Sequence, residues 1–497
     1  MMSMTILSRV RNLKAARDAA FFFLFTGVLI LAQPLGAHAS LQSQLRQLFQ
    51  NESPSGANWS IQVERKGAET PLFSMSAARK LIPASNMKLL TGAAVLLTLG
   101  PDYKYPTRIY AGGPIQNGVL NGDLLIEGTG DPSLGGRFHG GDITAIFRDW
   151  AAQLKRRGIE RIAGDLVGLD TLFDDTRIGL NWHPDDLSEW YAAEISALNF
   201  NDGCIDVMVR GGPSSGSAAQ VTFDPNTDYV RWVNDLTTVS RARNVRGIRF
   251  ERDLENQTIR VYGSVQRNKQ YTRYVTAPNP TLYCLSVIEQ VFEAEGIQIS
   301  GEIRRNAIDE QSPASSRSLI YTHQSPPLLQ LVEVCLRNSQ NLYSEHFLKT
   351  LGAHYYGVGS YETGTLALKD VLFEHGCEID GIYIGDGSGL SRESRISAQS
   401  LIALLEAVAA TDYGETFFES LPVSGESGTL RRRMRGTDAQ GRVHAKTGTL
   451  NGVRALSGYI QTQGGETYLF SMLANGSHSG YRFTQIMDDA CEMIAAQ

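Results

Sequence analysis

Histidine and cysteine are scarce in this chain of 497 residues, nine and five respectively, and neither recurs at a metal-binding spacing. Without a HExxH helix or a CxxC pair, zinc-peptidase and zinc-knuckle chemistry are excluded, and no metal or other cofactor is called for. No long basic run offsets a net charge of −6, so a nucleic-acid partner is excluded as well. Glycine-rich nucleotide loops are missing too. Gly128-Thr-Gly130 follows a strand, but its third glycine is out of register and Asp131 would repel phosphate. Ala445-Lys446-Thr447 lacks the Walker glycine. Long apolar runs are absent: the longest, Ala19–Ala32, falls short of the roughly 20 residues a spanning helix needs. Five cysteines allow two disulfides at most, and free buried thiols are an equal alternative.

The short apolar run has a different reading. Arg9, Arg11, Lys14 and Arg17 precede it, and Ala37-His38-Ala39 supplies small residues after it. That is the pattern of an export signal, residues 1–39, cleaved after Ala39. From 46 basic and 52 acidic residues, removing those four and Asp18 leaves 42 against 51, a net charge of −9. The remaining length predicts two or three domains.

Trp59–Val63 alternates as a half-buried strand, and Leu72–Met75 reads as another. Met87–Leu99 is apolar on nearly every side, which predicts a helix buried in the middle of a domain. Gly-punctuated short strands follow from Tyr105. Three helix-to-strand units are then expected: Ile143–Leu154 into Ile159–Val167, Leu285–Glu295 into Gly296–Ile303, and one from Leu366 into Gly376–Ile384. Residues 200–275 read as strands. Helical periodicity returns at 328–336, 342–356 and 397–410, and the chain ends in strands 455–461 and 467–474 and a helix from Phe483. Helix-rich ends around a strand-rich middle predict one domain interrupted by an insertion.

Three short motifs carry chemistry. In Ser85-Asn86-Met87-Lys88 the hydroxyl and the amine share a helix face, and a serine nucleophile needs such a base beside it. Lysine serves only if its pKa falls through burial or a neighbouring cation, and Lys446 is expected to be that cation. Ser339-Gln340-Asn341 breaks two helical stretches. Lys446-Thr447-Gly448-Thr449 enters a strand, where Lys446 supplies fixed charge and Gly448 leaves room for a substrate backbone added along the edge. Each motif is weak alone.

In this order they form the set of penicillin-recognising serine enzymes. The chain resembles the D-alanyl-D-alanine carboxypeptidase/endopeptidase family, the class C low-molecular-mass penicillin-binding proteins. Three further stretches are similar: Gly122–Pro132, Asp386-Gly-Ser-Gly-Leu-Ser-Arg392 and Leu421–Leu430. The resemblance implies a mixed α/β fold, a β-lactamase/transpeptidase-like α-β-α sandwich with an antiparallel sheet, from residues 40–105 and 315–497. It implies an insert domain at 106–190 and 270–314, with a second nested at 191–269. It also implies a Ser85 acyl-enzyme with Lys88 as base, proton relay through Ser339 and Lys446, and Asn341 positioning the substrate amide and Lys88. Thr447, Gly448 and Thr449 would line the substrate site, with an oxyanion hole from the backbone N–H groups of Ser85 and Thr449. The expected partners are peptidoglycan stem peptides, cut as carboxypeptidase, cross-link endopeptidase or both, and β-lactams as covalent inhibitors, in a periplasmic or cell-wall compartment. A β-lactamase and an inactive wall-binding protein are the alternatives. Asp170, Asp174 and Asp175 are expected near the outer wall of the cleft, where one would meet a free amine of the stem peptide. Glu194–Asn199 looks like the deacylating motif of class A β-lactamases but is one residue too long and precedes Ser339.

Overall fold

The computed structural model describes residues 40–253, 257–306, 317–476 and 480–497, so the expected signal segment lies outside the described residues. A five-stranded antiparallel sheet runs in the order Val443–Leu450, Val453–Gln461, Thr467–Asn475, Asn58–Arg65, Phe73–Met75. Its strands alternate. Leu456, Ile460, Phe470 and Met472 pack against Leu41–Asn51 and Gly480–Ala495. On the other face Ala455, Tyr459, Leu469 and Leu473 meet a layer built from Met87–Leu99, Leu328–Arg337, Asn341–Tyr356, Tyr361–Glu374 and Ala398–Ala409. The result is the expected α-β-α sandwich, because a period of two gives each strand two apolar faces to cover.

Met87–Leu99 lies in the middle of its layer, and every residue from Met87 to Leu96 is buried, as its all-round apolarity predicts. Each fully buried Leu or Val there contributes about 1.5–3 kcal/mol. That offsets the cost of burying Lys88 in the same helix.

Residues 106–324 supply the other sheets. The first two helix-to-strand units are neighbours: Ala145–Arg156 leads into Arg161–Ile162, Pro280–Ala294 into Gln298–Ile299, and the two short strands pair in parallel. Ile303–Arg305 and Leu166–Leu169 repeat that parallel pairing in the next sheet. The third unit does not recur. Tyr361–Glu374 is a helix, but Gly376–Ile384 forms only an isolated bridge, Tyr383 to Arg395. That segment runs directly into a tight loop, Asp386–Ser391, whose N–H groups are bound by buried carboxylates instead of a strand. All five cysteines are buried and free. Among the described residues no helix is long and apolar enough to cross a membrane.

Candidate active site

Ser85 sits in a 3-10 turn, Ala84–Asn86, that opens the buried helix. Ala84 is held at φ +47°, a strained conformation for a residue with a Cβ. The turn is wedged on two sides. A Cβ on Gly389 would lie 1.8 Å from Ala84 O, and one on Gly448 2.7 Å from Pro83 O. Gly448 therefore makes room for the nucleophile turn itself, where the sequence suggested room for substrate.

Lys88 Nζ donates to Ser85 Oγ at 3.2 Å and to Ser388 O at 2.8 Å. Burial pushes this ammonium down to about 8, partly opposed by Cys335 and by the carboxylates of Glu345 and Asp386. Lys446 Nζ donates to Ser339 Oγ at 2.8 Å and to Thr447 O at 2.8 Å. It too is held well below its ordinary value, first by burial and then by the positive charge of Lys88. Burial is the leading cause for both amines, and the positive charge of each disfavours the other's.

Ser339 lies at φ +57° between two helices, so it caps neither; Gln340 is the residue preceding Asn341–Tyr356. The Asn341 amide donates to Tyr191 O at 2.6 Å, while Lys88 donates to Ser85 and Ser388 and not to the Asn341 oxygen. Thr447 Oγ1 donates to Thr429 Oγ1 at 2.7 Å. Val443–Leu450 is the outermost strand of its sheet among the described residues. Ser85, Ser339, Asn341, Thr447, Gly448 and Thr449 all line one cleft of about 940 Å³. The expected site residues at Lys88 and Lys446 lie beneath it, fully buried.

A family model described as the D-Ala-D-Ala carboxypeptidase 3 (S13) family matches residues 41–497. The chain belongs to that family. This S13 peptidase is 32% identical over 466 residues to a D-alanyl-D-alanine carboxypeptidase of Actinomadura sp. (strain R39), covering 90% of this chain and 84% of the relative. It is 26% identical to the D-alanyl-D-alanine carboxypeptidase DacB of Haemophilus influenzae, covering 86% and 87%. In fold it is similar to the crystal structure of penicillin binding protein 4 from Haemophilus influenzae, with a TM-score of 0.79, 23% identity and coverage of 91% and 99%.

Several site residues of the S13 peptidase escape a sequence reading. Asn86 is fully buried and its amide donates to Lys446 O at 2.9 Å, tying the nucleophile turn to the Lys446 strand. Glu345 is buried beneath Lys88 and accepts from the N–H groups of Gly387 and Ser388, both at 2.8 Å. Asp386 accepts from Gly389 N, Ser391 N and, at 2.8 Å, the indole of Trp182. Together they hold the loop that presents Ser388 O to Lys88. Only the motif spacing of Asn86 and the Asp386 stretch hinted at them; nothing flanking Glu345 did.

Other expectations are corrected. Asp170 is buried on Arg305, Thr281 and Asn306, Asp174 holds Lys349 Nζ at 2.6 Å, and Asp175 pairs with Arg305. None of the three lines the cleft; from that part of the chain, Asp186 does. Glu194 is bound by Arg252 at 2.6 Å and by Asn279 N, a structural pair and not a deacylating base. A G-x-S-x-G string, Gly212-Pro-Ser-Ser-Gly216, lies in the connection between strands Cys204–Arg210 and Gln220–Asp224. It is not followed by a helix, so it is no hydrolase elbow.

Proposed function

We propose that this S13 peptidase, a penicillin-sensitive serine D,D-peptidase, uses Ser85 to open the bond between two D-residues of a peptidoglycan stem peptide. Ser85 Oγ attacks the carbonyl carbon while its proton passes to neutral Lys88. With the pKa near 8, roughly a tenth of Lys88 is neutral at pH 7, enough for a base that turns over. The backbone N–H groups of Ser85 and Thr449 stabilise the oxyanion. As the C–N bond breaks, Ser339 passes a proton to the leaving amine, and Lys446 replaces it. Thr447 and Thr449 take the terminal carboxylate, the edge at Gly448 takes the substrate backbone, and Asn341 orients the substrate amide. Water then attacks the ester carbonyl, its proton restoring Lys446, and as the C–O bond breaks Lys88 returns its proton to the Ser85 oxygen. The β-lactam amide enters the same path and remains as the acyl group.

What carries this reading is the pairing at one cleft of two buried lysines with two serines, Lys88 with Ser85 and Lys446 with Ser339. A buried amine has a lowered pKa, and only such an amine serves as base at neutral pH. The same reading parcels the chain into a peptidase domain at 40–105 and 315–497, an insert at 106–190 and 270–314, and a nested one at 191–269. Separate sheets in the two regions support it except at Ser318–Gln324, which pairs with Pro106–Ala111 and so goes with the insert. The basic segment and apolar run before Ala39 support export to the wall compartment.

Covalent labelling by a fluorescent penicillin tests the assignment. Ser85→Ala should abolish it with circular dichroism unchanged, and labelling that persists at another residue refutes it.

A further inference from the structure

Beside the cleft lies a second cavity of about 710 Å³, within the roughly 300–1,000 Å³ of small-molecule sites. Trp190 and Asn338 line both spaces, so the two are adjacent. Its walls carry two exposed rings, Trp190 (37% exposed) and Tyr274 (47%), with Asp206 directly opposite Tyr274 in strand register. Asp206 accepts only from Asn201 Nδ2, at 3.0 Å, among the bonds the structure gives it. Arg137 is already neutralised by Asp202. Gln340, 4% exposed, donates to Asp202 at 2.9 Å, so that carboxylate is engaged from two sides and Asp206 is left as the wall's free acceptor.

Such a wall selects a neutral ligand rich in hydroxyls and amides. Exposed ring faces take the C–H face of a sugar ring, and the Asp206 carboxylate takes its O–H and N–H donors. An extended peptide finds no strand to join here. Cys204–Arg210 lies between two partners, and the outer side of Gln270–Thr276 is bridged by Glu189 at Val275. We propose that this cavity binds the amino-sugar glycan to which the stem peptide is attached, so that the enzyme recognises sugar and peptide together. The inference rests on the stem-peptide reading of the cleft.

Three substrates sharing one pentapeptide test it: the free peptide, the peptide on an N-acetylglucosaminyl–N-acetylmuramyl disaccharide, and a sugar-free cross-linked peptide dimer. D-Alanine release, or dimer cleavage, is measured for the wild type and for Tyr274→Ala, a change at an exposed ring outside the cleft. The disaccharide substrate should be favoured over the free peptide about tenfold in kcat/KM, through KM, which is the scale of one added binding contact or two. Tyr274→Ala should erase that preference while leaving free-peptide turnover and penicillin labelling unchanged. Equal kcat/KM with and without sugar in the wild type overturns the inference, as does a preference that survives in the variant. A preference for the dimer and not for the disaccharide gives the cavity to a second peptide and overturns it too. If penicillin fails to label Ser85 and no peptide is cut, the reading of the cleft itself falls, and this inference with it.

Discussion

At the scale of single residues the determining feature is an amine kept from water. Lys88 accepts a proton only when neutral, so acylation should rise with pH through about 8. Because burial is the largest cause of that value, Lys446→Ala should lower the plateau by tenfold or more while moving the midpoint by no more than about half a unit. Penicillin acylation from pH 5 to 10 measures both, and a midpoint that climbs further would restore Lys446 as the tuning charge. The three motifs were legible in the sequence because acyl transfer dictates residue type at short, local spacings. Asn86 and Glu345 were not, because their partners lie far along the chain: Lys446 is 360 residues from Asn86, and Gly387 is 42 from Glu345. A buried hydrogen bond leaves no periodic mark.

The element that joins most of the site is the helix Asn341–Tyr356. Its first residue faces the cleft, Glu345 holds the Asp386 loop, and His346 and Lys349 reach the other way. His346 bonds Gly130 O at 2.9 Å, and burial pushes its imidazole down to about 4, so it stays neutral there. Lys349 donates to Asp174 and to Thr176 O at 2.7 Å, with its ammonium over the Tyr361 ring. Lys349→Met should therefore loosen residues 172–177, where losing these bonds costs about 1–3 kcal/mol. Hydrogen exchange there should quicken by tenfold or more, and unchanged exchange would dismiss the helix as a clasp. Long elements with a clean period, such as Met87–Leu99 and the closing strands, were readable in advance because burial imposes their pattern. Gly376–Ile384 was not, since its alternation resembles a strand while loop carboxylates decide its course.

Across the whole molecule, one hydrogen bond connects the region outside the main sheet to the base. Trp182 steadies the Asp386 anion, and that anion raises the Lys88 pKa. Trp182→Phe keeps a ring but removes the donor, so Asp386 holds its proton more readily and less negative charge faces Lys88. The acylation midpoint should then move to lower pH, the opposite of what loss of burial would do. A pH profile of the variant tests this, and a midpoint that stays or rises rejects the link. The order of the main sheet has a consequence of another kind, in time. Asn58–Arg65 has as its long neighbour Thr467–Asn475, made long after it, and Lys446 belongs to that same later segment. A chain still being synthesised holds its serine but neither the strand nor the second amine. Non-local pairing of this sort is slow to form. No unfinished copy of this hydrolase is armed, because the second amine and the neighbouring strand arrive long after the serine.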